Sequence, residues 1–254
     1  MVTGTDRPAP HLPDAVPWVL DGEMALERDT LATLLLERIT LGAGWLTQAT
    51  GPDGSFTYYY RPANDRVYMD DYNDVRHAGV TYSMFQAFEV LGDPALREAA
   101  ERAVGWIDAA SSATPHGGKA FGLNDLVVLG GQALALIAVL ERRRVLQDTR
   151  YDDLIADLAI FMDLMQLPGK PGQHYEFYRP EKDRFRTTSG PSYSPGEVLL
   201  ALCRLSQHFP DGPFLDAAER VAQYLIYGRD GDILAAGKAA GMDHWMALGL
   251  SELY

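Results

Sequence analysis

Tyr60-Arg61-Pro62-Ala63-Asn64-Asp65-Arg66 and Tyr178-Arg179-Pro180-Glu181-Lys182-Asp183-Arg184 are two copies of one pattern, 118 residues apart. The same interval separates Ala99-Ala100-Glu101-Arg102 from Ala217-Ala218-Glu219-Arg220. A constant offset of this size marks a duplicated unit, about 30–110 and 150–228, and excludes the short periods of common solenoids. Each copy reads as a helix, an aromatic loop, a second helix and a third helix.

Outside the matched segments, apolar residues keep helical spacing. Helices are expected at about 30–48, 73–91, 93–107, 130–146, 151–167, 194–209, 211–227 and 243–254, which makes eight helices in four αα-hairpins. Gly92 stops the second helix, and Asp93-Pro94 supplies a cap and a first-turn proline for the third. Phe56-Thr57-Tyr58-Tyr59-Tyr60 and His174-Tyr175-Glu176-Phe177-Tyr178 alternate as short β-hairpins do. Gly117-Gly118 predicts a tight turn between two short strands. Residues 1–27, with Pro8, Pro10, Pro13 and Pro17, read as a tail or strap, leaving 28–254 as one all-α domain.

Composition narrows the function classes. Apolar residues make up 47% and charged residues 22%, ordinary for a globular chain. A net charge of −13 argues against nucleic-acid or anionic-membrane binding, which need a basic footprint. Cys203, the only cysteine, lies in an apolar helical run and reads as a core residue. No signal-peptide pattern opens the chain and no apolar stretch approaches the roughly 20 residues of a membrane span, so a cytoplasmic location is expected. No His/Cys spacing indicates a metal, and no phosphate-binding or dinucleotide fingerprint is present; the expected cofactor is none.

Four helix starts align: Gly79-Val80, Gly131-Gln132, Gly196-Glu197 and Asp243-His244, each leading into a mostly apolar helix. Helices two, four, six and eight are therefore expected to form an inner ring, with the others outside. Their N-termini then share one end, where unpaired N–H groups and helix dipoles favour a polar or anionic ligand.

Asp71-Tyr72-Asn73-Asp74-Val75-Arg76-His77-Ala78-Gly79, Leu91-Gly92-Asp93-Pro94 and Leu129-Gly130-Gly131-Gln132-Ala133-Leu134 resemble the α/α-toroid superfamily of six-hairpin glycosidases, sugar epimerases and lanthionine cyclases. The resemblance covers about residues 30–254 and implies an inner-ring cleft acting on a saccharide or uronate. Only four hairpins are counted, so the toroid is small or incomplete. A homodimer or a partner subunit is the expected means of closing such a ring.

The candidate catalytic groups are Asp70, Asp71, His77, Glu197 and His244, with carboxylates and imidazoles suited to proton transfer. Tyr59, Tyr72, Arg76, Lys119, Gln132, Tyr178, Tyr193, Asp243 and Trp245 are the candidate substrate-binding residues. Arg76 stands out because a cation near a helix N-terminus opposes the dipole and calls for an acidic partner or ligand. Simpler roles compete: Asp71, Asn73 or Asp243 as caps, and Ser194-Pro195-Gly196-Glu197 as a capping box. The leading expectation is a metal-independent acid–base enzyme acting on a small polar substrate by hydrolysis, elimination or epimerisation. Two others are a biosynthetic cyclase whose site a partner completes, and a noncatalytic ligand-binding toroid.

Overall fold

The computed structural model describes residues 28–68, 72–187, 193–237 and 241–254. The predicted N-terminal tail and the acidic pair Asp70 and Asp71 lie outside the described residues. The chain divides into two compact units, Met1–Trp45 and Leu46–Tyr254. In the first, the described part belongs to helix α1 (Arg28–Ala49), which opens with Asp29 in its first turn, favourable at the positive end of the helix dipole.

The second unit contains the duplicated pattern. β1 (Tyr59–Arg61) and β2 (Arg66–Tyr68) form an antiparallel hairpin. Helices α2 (Asp74–Leu91) and α3 (Pro94–Ala109) follow. Asn73 Oδ1 caps α2 by accepting from Arg76 N–H, and Gly92 ends it in the left-handed conformation. Asp93 then caps α3, with Pro94 in its first turn. β3 (Ser111–Ala113) and β4 (Lys119–Phe121) form the hairpin predicted around Gly117-Gly118. Next come β5 (Val127–Val128), α4 (Leu129–Leu146) and α5 (Asp152–Leu164). β6 (Phe177–Arg179) and β7 (Arg184–Arg186) repeat the first hairpin, and β6 also pairs with β5. Helix α6 (Ser194–His208) leads to α7 (Phe214–Gln223), which continues as a π-helical segment, Tyr224–Arg229. α8 (Gly231–Ala235) and α9 (His244–Leu253) complete the described chain.

All eight predicted helices are present. The additional one, α8, has five residues, too short to display a periodic stripe. Helix α4 packs between α2 and α6, and α9 packs on the other flank of α6. Helices α3, α5 and α7 lie behind α2, α4 and α6 respectively. Each outer helix returns the chain, so the inner helices run in one direction, the arrangement of an α/α toroid. The second helix begins at Asp74, where it was expected, but the alignment of Gly79-Val80 with the other helix starts is corrected: Gly79 lies more than a turn inside α2.

The inner row is tied at its C-terminal end by charge. Arg144 of α4 bridges Glu89 of α2 and its own helix's Glu141. Arg204 of α6 reaches Glu141 at 3.0 Å and Glu252 of α9 at 2.6 Å. Because Glu141 is almost fully buried, loss of either arginine leaves a poorly compensated buried carboxylate.

The duplication extends further in space than in sequence. Gly54 and Gly172, again 118 residues apart, both have positive φ (88° and 75°). A Cβ at Gly54 would overlap the Arg102 carbonyl, and one at Gly172 would overlap the Arg220 carbonyl. Trp106 and Tyr224 are the next neighbours in the two copies. Gly54→Ala and Gly172→Ala are each expected to destabilise the protein by about 1–3 kcal/mol, from backbone strain and steric overlap. Urea unfolding of the two variants checks this; a change under a few tenths in both excludes equivalent close packing in the two copies.

Candidate active site

Two buried carboxylates flank the first turn of α4, Leu129-Gly130-Gly131-Gln132. Glu197 comes from α6 and lies so close to the α4 backbone that a Cβ on Gly130 would overlap its Oε2. Asp74 comes from α2, and its Oδ2 is 3.8 Å from where a Gly131 Cβ would stand. The adjacent glycines thus let acidic side chains from both neighbouring helices approach the backbone. Asp74 is also bonded to its neighbour Val75 N–H at 2.9 Å, and burial raises its pKa.

Glu197 is 5% exposed. Burial, with Glu176 and Asp243 nearby, pushes its pKa up to about 7. The predicted capping box is absent. Tyr193 is the N-cap, and Gly196 and Glu197 N–H groups both bond its carbonyl. Ser194 is the first helical residue and donates its hydroxyl to Glu176 Oε1 at 2.6 Å.

Beside this cluster is a cavity of about 710 Å³ whose wall includes His174, Glu176, Tyr193, Tyr224, Arg229 and Asp243. Arg229 is bound to Asp230 at 2.8 Å and Asp243 at 2.7 Å, while Asp243 Oδ1 caps α9 through Met246 N–H. Asp243 is therefore both the predicted cap and a cavity residue. Tyr193 and His244 are exposed, with ring centroids 6.3 Å apart. Trp245 faces Tyr82 of α2 at 6.4 Å, which places it on the inner side of the row.

Other predicted site residues turn elsewhere. His77 is enclosed: its Nδ1 lies 2.7 Å from the Tyr72 hydroxyl, its Nε2 3.0 Å from the Ala103 carbonyl, and its ring stacks on Trp106. Burial lowers its pKa to about 4 and raises that of Tyr72 to about 12, the behaviour of neutral core groups. Arg76 is exposed and donates to Tyr58 Oη at 2.9 Å. Gln132 is wholly buried and turns to the outer layer, accepting from Phe121 N–H and donating to the Lys119 and Leu158 carbonyls. Lys119 pairs with Asp108 at 3.3 Å. Tyr178 is buried in its hairpin, its hydroxyl on Asp183, and Tyr59 is exposed on β1. Convergence of the predicted set at one rim thus extends to Glu197, Asp243 and their neighbours but not to these residues. Among the described residues, no three His, Cys, Asp or Glu side chains come together as a metal-binding group. No helix of the described residues is long and apolar enough to cross a membrane.

Glu176, His174 and Arg229 were not singled out from sequence. A signal existed for two of them, because the copies differ in chemical kind there: Tyr58 against Glu176, and Phe56 against His174.

No family model matches the chain, and no curated protein matches it. Solved structures do. The cellobiose 2-epimerase from Spirochaeta thermophila is similar with a TM-score of 0.62 at 18% identity, over 79% of this chain and 54% of that one. A D-mannose isomerase gives 0.60 at 14% identity, over 75% and 51%. A family 76 glycoside hydrolase (mannosidase) from Bacteroides thetaiotaomicron gives 0.57 at 19%, over 69% and 52%. Identities this low establish the fold, that of an α/α toroid. The chain spans about half the length of these structures.

Two outcomes follow. Gln132→Ala strands a buried N–H and two carbonyls and should cost about 2–4 kcal/mol, measurable by denaturant unfolding. For Glu197 the folded pKa of about 7 lies above the ordinary 4.5, so its stabilising contribution is complete below pH 4.5 and lost as pH rises through 7. Glu197→Gln should therefore match wild type near pH 4.5 and exceed it by roughly 2–3 kcal/mol at pH 8. A pH-independent difference in melting temperature would show that Glu197 is not held protonated.

Proposed function

We propose that the chain performs acid–base chemistry on a small neutral saccharide, with Glu197 as the proton donor and acceptor. The observation that carries this reading is the buried Glu197 carboxyl, brought near neutrality beside Glu176 and Asp243 of the cavity wall. A carboxyl with a pKa near the working pH can both give and take a proton, typically a contribution of 10²–10⁴ in rate. Carboxylates that accept from hydroxyls and tyrosines that offer flat faces suit a sugar. A uronate is less suitable, because Arg229 is already committed to two aspartates. The sugar-active enzymes sharing the fold support the substrate class by analogy alone. Asp70 and Asp71, next to Tyr72 in sequence, are retained as proposed partner carboxylates.

The test is turnover of D-mannose, cellobiose and an α-1,6-linked mannobiose in D₂O, followed by NMR. Deuterium entering at C2 indicates epimerisation or isomerisation, and a new reducing end indicates hydrolysis. Glu197→Gln is expected to reduce either rate about 100-fold or more while remaining folded. Undiminished turnover in that variant overturns the assignment of Glu197. Saturable binding with no turnover by wild type replaces catalysis with ligand binding.

A further inference from the structure

The two copies of the repeat use one location differently. In the first, Phe56 packs on His77 with ring centroids 4.8 Å apart, and His77 stacks on Trp106 at 4.1 Å, so aromatic rings fill the space behind the hairpin. The counterparts of Phe56 and Trp106 in the second are His174 and Tyr224, which line the cavity of about 710 Å³. The backbone frame is common to both, since Gly54 and Gly172 make the same close approach to Arg102 and Arg220. Equivalent frames with a filled core in one and a cavity in the other mark the second as a place kept open.

His174 carries the chemistry of that place. One ring nitrogen, Nδ1, is buried and has no hydrogen-bond partner among the described residues. Burial brings the pKa to about 4, so the ring is neutral and Nδ1 donates or accepts according to the tautomer. A buried polar atom without a partner is uncommon in native proteins and calls for a group that satisfies it. A ligand hydroxyl, which both donates and accepts, does so in either tautomer. Glu176 in the same wall accepts from the Ser194 hydroxyl, while Asp243 is held by Arg229 and Met246 N–H.

We infer that the cavity of the second repeat binds a neutral polyhydroxy ligand, one of whose hydroxyl groups forms a hydrogen bond with His174 Nδ1. This rests on the saccharide reading for the identity of the ligand, but not for the location of the site. His174 is thereby a specificity-determining residue for that ligand.

The test uses the full chain labelled with ¹⁵N-histidine. The Nδ1 resonance of His174, assigned by its loss in His174→Phe, is followed during titration with D-mannose and cellobiose, alongside calorimetry. Phe is the residue of the first copy, so this variant is expected to fold and to fill the space. Saccharide should shift the Nδ1 resonance, His174→Phe should weaken binding at least tenfold, and His174→Gln, which keeps an acceptor, should restore part of it. Sugar binding unchanged in His174→Phe, or binding that leaves Nδ1 unmoved, overturns the inference while the saccharide reading stands. If wild type binds neither sugar, the same titration is made with glycerol, sorbitol and inositol. A shift there keeps the His174 site and discards the saccharide reading; no shift with any of them overturns the site.

Discussion

Helix α4 is enclosed by neighbours, so every polar group it carries inward must find a partner inside the protein. This requirement organises both ends of the inner row. At one end Gln132 fastens β4 and α5 to it through three hydrogen bonds. At the other, Glu141 and Arg144 draw in Glu89, Arg204 and, through Arg204, Glu252. Arg142, wholly buried, is held by Glu101 and Asp148. Leaving one of these groups unmatched costs more than the bond contributes when made, so the neighbouring elements are constrained in position as well as in contact.

The same enclosure produces the candidate site. A helix packed on both flanks can admit a side chain at its first turn only if it has none of its own there. Gly130 and Gly131 meet that condition, and Glu197 and Asp74 occupy the room they leave. Removal from water then raises both carboxyl pKa values. Packing geometry and proton affinity thus have one cause. Charge around Glu197 adds to it, because Glu176 and Asp243 disfavour a further negative charge.

Duplication supplied a frame that the two copies have filled in unlike ways. The hairpin turns are alike, each with an aspartate of positive φ accepting from a tyrosine hydroxyl: Asp65 from Tyr60, and Asp183 from Tyr178. Behind them, rings close the first copy and a cavity opens the second. Residues that define the turn are kept, while those that face the space behind it differ.

The order of helices, the hairpins and the inner and outer roles were legible in the chain, because they depend on local spacing, caps at Asn73 and Asp93, and the 118-residue offset. Glu197 and Asp243 were legible too, as polar residues at helix starts. Which way a side chain turns from such a start was not. His77, Gln132 and Glu197 all lie early in apolar helices, yet the first two face the outer layer and the third faces α4. That choice is made by neighbours distant in sequence, namely Ala103, Leu158 and Gly130, whose placement exists only once the helices have packed. The cavity and the unpaired nitrogen of His174 belong to the same category: a space and a missing partner are properties of the assembled layers, and no local stretch of sequence contains either.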